Sequence, residues 1–86
     1  MKNKPIKTAY EKSKENIIKI DIYDNGDKWE VRGKSISYDD LSLKNHLQIV
    51  SKDTEWVKEY FNYTEKGLSK EFNACLKGVR KWEEMK

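Results

Sequence analysis

The 86 residues suffice for one domain and no more, and a domain this short is marginal unless its core packs well. Hydrophobic residues make up 36% of the chain and charged residues 38%, a balance that leans away from a packed core. Three Trp, five Tyr and two Phe supply the large side chains that restore one. The single Cys75 excludes an internal disulfide, no apolar run approaches the ~20 residues of a membrane span, and Met1 to Ile6 lacks the apolar segment of a signal peptide. These features predict a soluble cytoplasmic protein without a membrane segment.

The net charge of +3 is a weak bias, and its distribution says more. Residues 1–20 carry six Lys against Glu11 and Glu15, whereas residues 21–40 carry six acidic groups against Lys28, Arg32 and Lys34. A basic start therefore precedes an acidic stretch. Residues 1–15 hold only Ile6, Ala9 and Tyr10 as sizeable apolar groups after Met1, together with Pro5, and read as a disordered or frayed basic tail. The single α+β domain is expected over residues 16–86.

Ile17, Ile18, Ile20, Ile22 and Tyr23 read as a strand, and Asn25-Gly26 reads as a two-residue hairpin turn with positive φ at both residues. This turn would pair Asp24 with Asp27, Ile22 with Trp29, Ile20 with Val31 and Ile18 with Gly33, placing the apolar partners on one face. It would also set Asp21 opposite Glu30 and Lys19 opposite Arg32, two like-charge pairs. Residues 37–52 stay open between two readings. Leu43, Leu47 and Val50 have helical spacing, while Leu47 and Ile49 alternate with polar residues. The preferred reading is a short third strand over about Leu47 to Val50. Asp53 is the expected N-cap of a helix over 53–63 with Trp56, Val57, Tyr60 and Phe61 on one stripe. After a break at Gly67, Leu68, Phe72, Cys75, Leu76, Val79 and Trp82 recur at helical spacing over 68–84. Gly78 lies beside that stripe, where it is expected to allow close packing. The expected architecture is an antiparallel β-sheet of two or three strands, begun by the N-terminal hairpin and covered on one face by two C-terminal helices.

No catalytic or metal constellation stands out. His46 and Cys75 are single and far apart, Cys75 lies on an apolar stripe, and the four Gly are scattered rather than grouped in a phosphate loop. A non-enzyme without metal or cofactor is therefore expected. Asp24, Asp27, Glu30, Asp39 and Asp40 form the sharpest surface feature, a candidate set for pairing with basic residues of a partner protein. The alternative set is Lys77, Arg80 and Lys81, with the N-terminal Lys cluster, as a nucleic-acid contact. Trp56, Tyr60, Tyr63 and Trp82 are either core or, where exposed, anchors of a protein interface, including a symmetric one between two copies. Monomer and homodimer both stay open.

The run from Phe72 to Lys81 resembles a segment near the C-terminus of many small phage and prophage proteins of Gram-positive bacteria, reading roughly Phe-Ser-x-x-Leu-Lys-x-Ala-Trp. Phe72, Leu76 and Lys77 agree, and Asn73, Val79 and Arg80 stand where that segment has Ser, Ala and Trp. Some of those proteins are anti-CRISPR proteins. The resemblance implies a phage or mobile-element protein that binds and inhibits a host protein, such as a CRISPR effector or another defence nuclease.

Overall fold

Gly26 takes φ +73° and is the only residue of the hairpin turn in the left-handed region, which matches the first-position glycine of a type II′ turn. The computed structural model, which describes residues 4–63 and 67–85, therefore closes the hairpin on Gly26-Asp27, with Asn25 opposite Lys28. The expected pairing of Asp24 with Asp27 is displaced by one residue on each strand. Strand β2 (Asn16–Asn25) and strand β3 (Lys28–Ser37) then set Ile22 against Val31 and Ile20 against Gly33. The face of each side chain is unchanged, because the register moves by an even step. The charges explain the choice. Asp21 now faces Arg32 and Tyr23 faces Glu30, which leaves Lys19 opposite Lys34 as the one like-charge pair in this ladder.

Two further strands flank the hairpin. Strand β1 (Lys7–Lys12) pairs antiparallel with β2, and strand β4 (Leu43–Ser51) pairs antiparallel with β3, so the sheet has four strands in chain order. The disordered tail expected over residues 1–15 is thus corrected for Lys7–Lys12, which form β1, while residues 1–3 lie outside the described residues. Ala9 is almost fully buried, and the Tyr10 ring lies 5.9 Å from that of Phe72. Tertiary burial of two side chains outweighs a composition that reads as tail, and the flanking Lys7, Glu11 and Lys12 suit an edge strand. The strand reading of residues 37–52 holds over a longer span than Leu47 to Val50, and the helical alternative does not.

Helix α1 (Glu55–Tyr60) is shorter than the expected 53–63 and starts from Thr54 rather than Asp53. The Asp53 amide instead donates to Ser51 Oγ at 3.2 Å, within the turn that leaves β4. Helix α2 (Leu68–Glu84) follows Gly67, whose φ of +85° makes it the entry to α2.

The helices do not share a face of the sheet, contrary to expectation. Ile17 and Ile36 pack with Phe72 and Val79 of α2, whereas Ile20, Ile22 and Val31 pack with Val57 of α1. Successive strand residues point to opposite faces, so Ile17 and Ile18 look to different sides. The four isoleucines of β2 therefore anchor both sides: Ile18, Ile20 and Ile22 serve α1, and Ile17 serves α2. Each helix covers only part of its face. Gly78 lies against Leu41, and a Cβ there would stand 3.5 Å from Leu41 Cδ1, an ordinary contact, so the packing does not require a glycine.

Candidate partner-binding site

The turn that leads from β3 into β4 is tightly held. The Leu41 amide donates to Ser37 O at 3.0 Å, the Ser37 amide to Ser42 O at 3.0 Å, and the Tyr38 amide to Glu15 O at 2.9 Å. Leu41 is held at φ +55°, a conformation that costs a leucine about 1 kcal/mol or more. Its side chain is drawn into the α2 cluster, which offsets that strain. The Asp40 carboxylate accepts from the Ser42 amide at 3.0 Å. That amide first, and then the hydroxyls of Ser42 and Ser37, hold the Asp40 carboxyl below its ordinary range. Asp40 is therefore a fixed anion, not a proton donor near neutral pH.

On the other side of this turn, α2 presents Trp82, one turn beyond the buried Val79 and 53% exposed. Asp39, Asp40, Leu41 and Trp82 line a shallow depression of about 260 Å³. It adjoins a second of about 310 Å³, lined in part by Leu43, Asn45 and Glu83. Its chemistry is an exposed indole face beside two carboxylates, with a third near by. Such a cleft suits a Lys or Arg side chain, whose charge meets the acids while its stem or guanidinium lies on the ring.

The acidic residues proposed from the sequence do not form one surface. Asp24 and Asp27 sit at the hairpin end, and Asp39 and Asp40 at the far end of β3. That strand's ten residues separate them by about 30 Å. Asp24 is bound to Lys52 Nζ at 2.8 Å. Glu30 is 8% exposed, lies 2.6 Å from the Arg32 guanidinium, and is covered by it, while that guanidinium also rests 4.7 Å from the Tyr23 ring centre. Of the five, only Asp39 and Asp40 border a cleft with an exposed aromatic. Alternation of acids in sequence gave no sign that the long strand would part them.

Lys77, Arg80 and Lys81 are exposed on α2, and none has an ion-pair partner among the described residues. Trp56 is 40% exposed and leans edge-on against Tyr60. Cys75 is half-buried, and burial first, then the nearby Glu71 carboxylate, push its thiol above the ordinary range, which disfavours the thiolate. His46 stands on the α1 side of the sheet opposite Gly33, away from Cys75 on α2. Among the described residues no group of three or more His, Cys, Asp or Glu is placed to hold a metal ion, and no helix is long and apolar enough to cross a membrane. A broader depression of about 480 Å³ beside β1 contains Glu11, whose carboxylate already accepts from the Tyr60 and Tyr63 hydroxyls, each at 3.2 Å. Leu41, Leu47 and Ile49 were missed as surface determinants. The first is marked only by its backbone angle. The other two read as ordinary strand positions until the sheet order places β4 at an edge, with no further strand beside it among the described residues. No protein family, curated protein or solved structure matches the chain.

Proposed function

We propose that the chain is a small non-enzymatic phage or mobile-element protein that binds and inhibits a host protein, with anti-CRISPR inhibition of a Cas effector as the concrete version. The observation that carries this reading is the half-exposed Trp82 beside the exposed Asp39 and Asp40. On a nucleic-acid-processing partner, a Lys or Arg that normally meets phosphate would instead enter this cleft, and nucleic acid would be displaced. The binding set narrows from the five acids to Asp39, Asp40 and Trp82, because Glu30 and Asp24 already carry basic partners and Asp27 lies in the hairpin turn, away from the cleft. The chain would act in the host cytoplasm and without a cofactor.

The test is recovery of a partner on the tagged protein from host lysate, before and after nuclease treatment. The expected result is a nuclease-resistant protein partner that Asp39→Lys with Trp82→Ala loses and Asp24→Lys with Asp27→Lys retains. Equal retention by both variants would overturn the cleft. A second reading, nucleic-acid binding through Lys77, Arg80 and Lys81, is favoured by their exposure and lack of paired carboxylates. It predicts recovery that vanishes with nuclease and weakens steeply with salt.

A further inference from the structure

The sheet ends in two unlike edges, and one of them is unguarded. Natural edge strands are kept from pairing by shortness, by charge, by proline, by a bulge or by a covering element. Strand β4 has none of these over most of its length. It runs for nine residues without proline and pairs continuously with β3 at every position from Leu43 to Ser51, so no bulge turns it aside. Residues 44–49 are all exposed, and Lys44 is the one Lys, Arg, Asp or Glu within the strand. Leu47 is 63% and Ile49 53% exposed, both on the α2 side of the sheet and beyond the reach of α2. Leu47 sits across from Arg32 and Ile49 across from Glu30, so their bases are ordered by β3 while their outer flanks meet no other strand among the described residues.

We infer that β4 is the seam of a homodimer, in which two copies pair antiparallel about Leu47 and join their sheets into one of eight strands. The sequence of the strand selects this occupant. In an antiparallel pairing centred on Leu47, Leu47 meets Leu47 of the second copy, with Ile49 on the diagonal and Asn45 directly opposite Ile49. Lys44 falls opposite Val50, Lys52 opposite Ser42, and His46 opposite Gln48. No like charges oppose each other, and the exposed Leu47 and Ile49 of each copy are met by Leu47 and Ile49 of the other across the two-fold axis. Recentring on Gln48 would set Lys44 against Lys52 of the second copy, a repulsion that the Leu47-centred register avoids. Backbone hydrogen bonds along the seam then satisfy the donors and acceptors that β4 turns away from β3. The seam is centred on Leu47, and the Trp82 cleft lies toward its end, where Leu43 and Asn45 line the adjoining depression.

Sedimentation equilibrium of the full chain over a concentration series tests the seam. The expected result is a mass that rises from one copy to two, and a single-copy mass at every concentration for Leu47→Lys with Ile49→Lys. Both side chains are solvated in one copy, so unchanged circular dichroism should show that the variant remains folded. In the unaltered chain, hydrogen exchange should slow along β4, and not along β1, as concentration rises. A single-copy mass up to millimolar concentration, a dimer that survives the double substitution, or exchange that slows on β1 instead would each overturn the inference. A chain that stays single alone but binds an extended peptide along β4 would also overturn it, in favour of a strand supplied by a different protein.

Discussion

Strands β1 and β4 are both sheet edges, yet they are built on opposite principles. Strand β1 is six residues long and is held from both sides. Toward α1, Lys7 Nζ donates to Tyr63 O at 2.7 Å and Glu11 accepts from Tyr60 and Tyr63. Toward α2, Lys12 Nζ pairs with Glu71 at 3.0 Å and Tyr10 rests on Phe72. Strand β4 is longer and carries a single Lys, and only its ends, Leu43 toward the α2 cluster and Val50 toward the α1 cluster, are held by anything besides β3. The contrast shows where the chain places its protection. Side chains of and beside the helices hold the edge made by the basic N-terminal stretch, and the edge made by the plain alternation of Leu47 and Ile49 stays exposed.

The largest expected effect comes from unfastening the protected edge. Phe72→Ala removes the ring that joins α2 to β1 and empties space beside Ile17 and Ile36, at a cost of about 3–5 kcal/mol in urea unfolding. The same variant should expose β1 amides to exchange before those of β3. Glu11→Ala takes away the acceptor of two tyrosine hydroxyls and should cost about 1–2 kcal/mol. Burial first, and then the Glu11 carboxylate, push Tyr60 up to about 12 from 10.0. A raised phenol keeps its proton in the folded state after the unfolded chain has lost it. Its stabilisation is therefore complete below pH 10.0 and falls away as pH rises toward about 12. Absorbance titration should find Tyr60 near that upper value in the unaltered chain and lower in Glu11→Ala. A midpoint unmoved by the substitution would remove Glu11 from the clamp.

Gly78→Ala sharpens the comparison from the other direction. The added methyl reaches Leu41 at ordinary contact distance, so the helix that guards β1 should gain about 0.5–1 kcal/mol and a higher melting temperature. Smallest is the effect of Leu47→Lys on the stability of a single copy. The side chain is 63% exposed, and the change should stay within about 0.5 kcal/mol. A large loss there would mean that Leu47 itself is held in one copy by something beyond β3.

The hairpin, the α+β class and the position of α2 were legible because each rests on a local pattern: Asn25-Gly26 between β-branched runs, and Phe72, Cys75, Leu76 and Val79 at helical spacing. Three features were not. The exact register turned on which of two adjacent residues, Asn25 or Gly26, opens the turn, and cross-strand charges decided it. Strand β1 carries four charged or polar residues out of six and owes its existence to partners distant in sequence, Ile20 and Phe72. The side taken by each helix depended on Ile17 and Ile18, two adjacent isoleucines that read alike in one dimension and diverge once the strand is pleated. The acidic set is parted for a related reason. Six carboxylates within twenty residues look clustered, until a rigid strand carries Asp39 and Asp40 away from Asp24 and Asp27.

That divergence at Ile17 and Ile18 also sets how the molecule comes apart. The buried residues beneath α1 and those beneath α2 form two sets with no member in common, separated by the thickness of the sheet. Each helix can therefore lift from its own side while the other stays packed, giving two units of local unfolding joined by the β2–β3 ladder. Helix α1 contributes one fully buried side chain, Val57, and α2 contributes Phe72 and Val79. With the smaller buried anchor, the α1 side is expected to open first, which hydrogen exchange would read as earlier exchange in α1 than in α2.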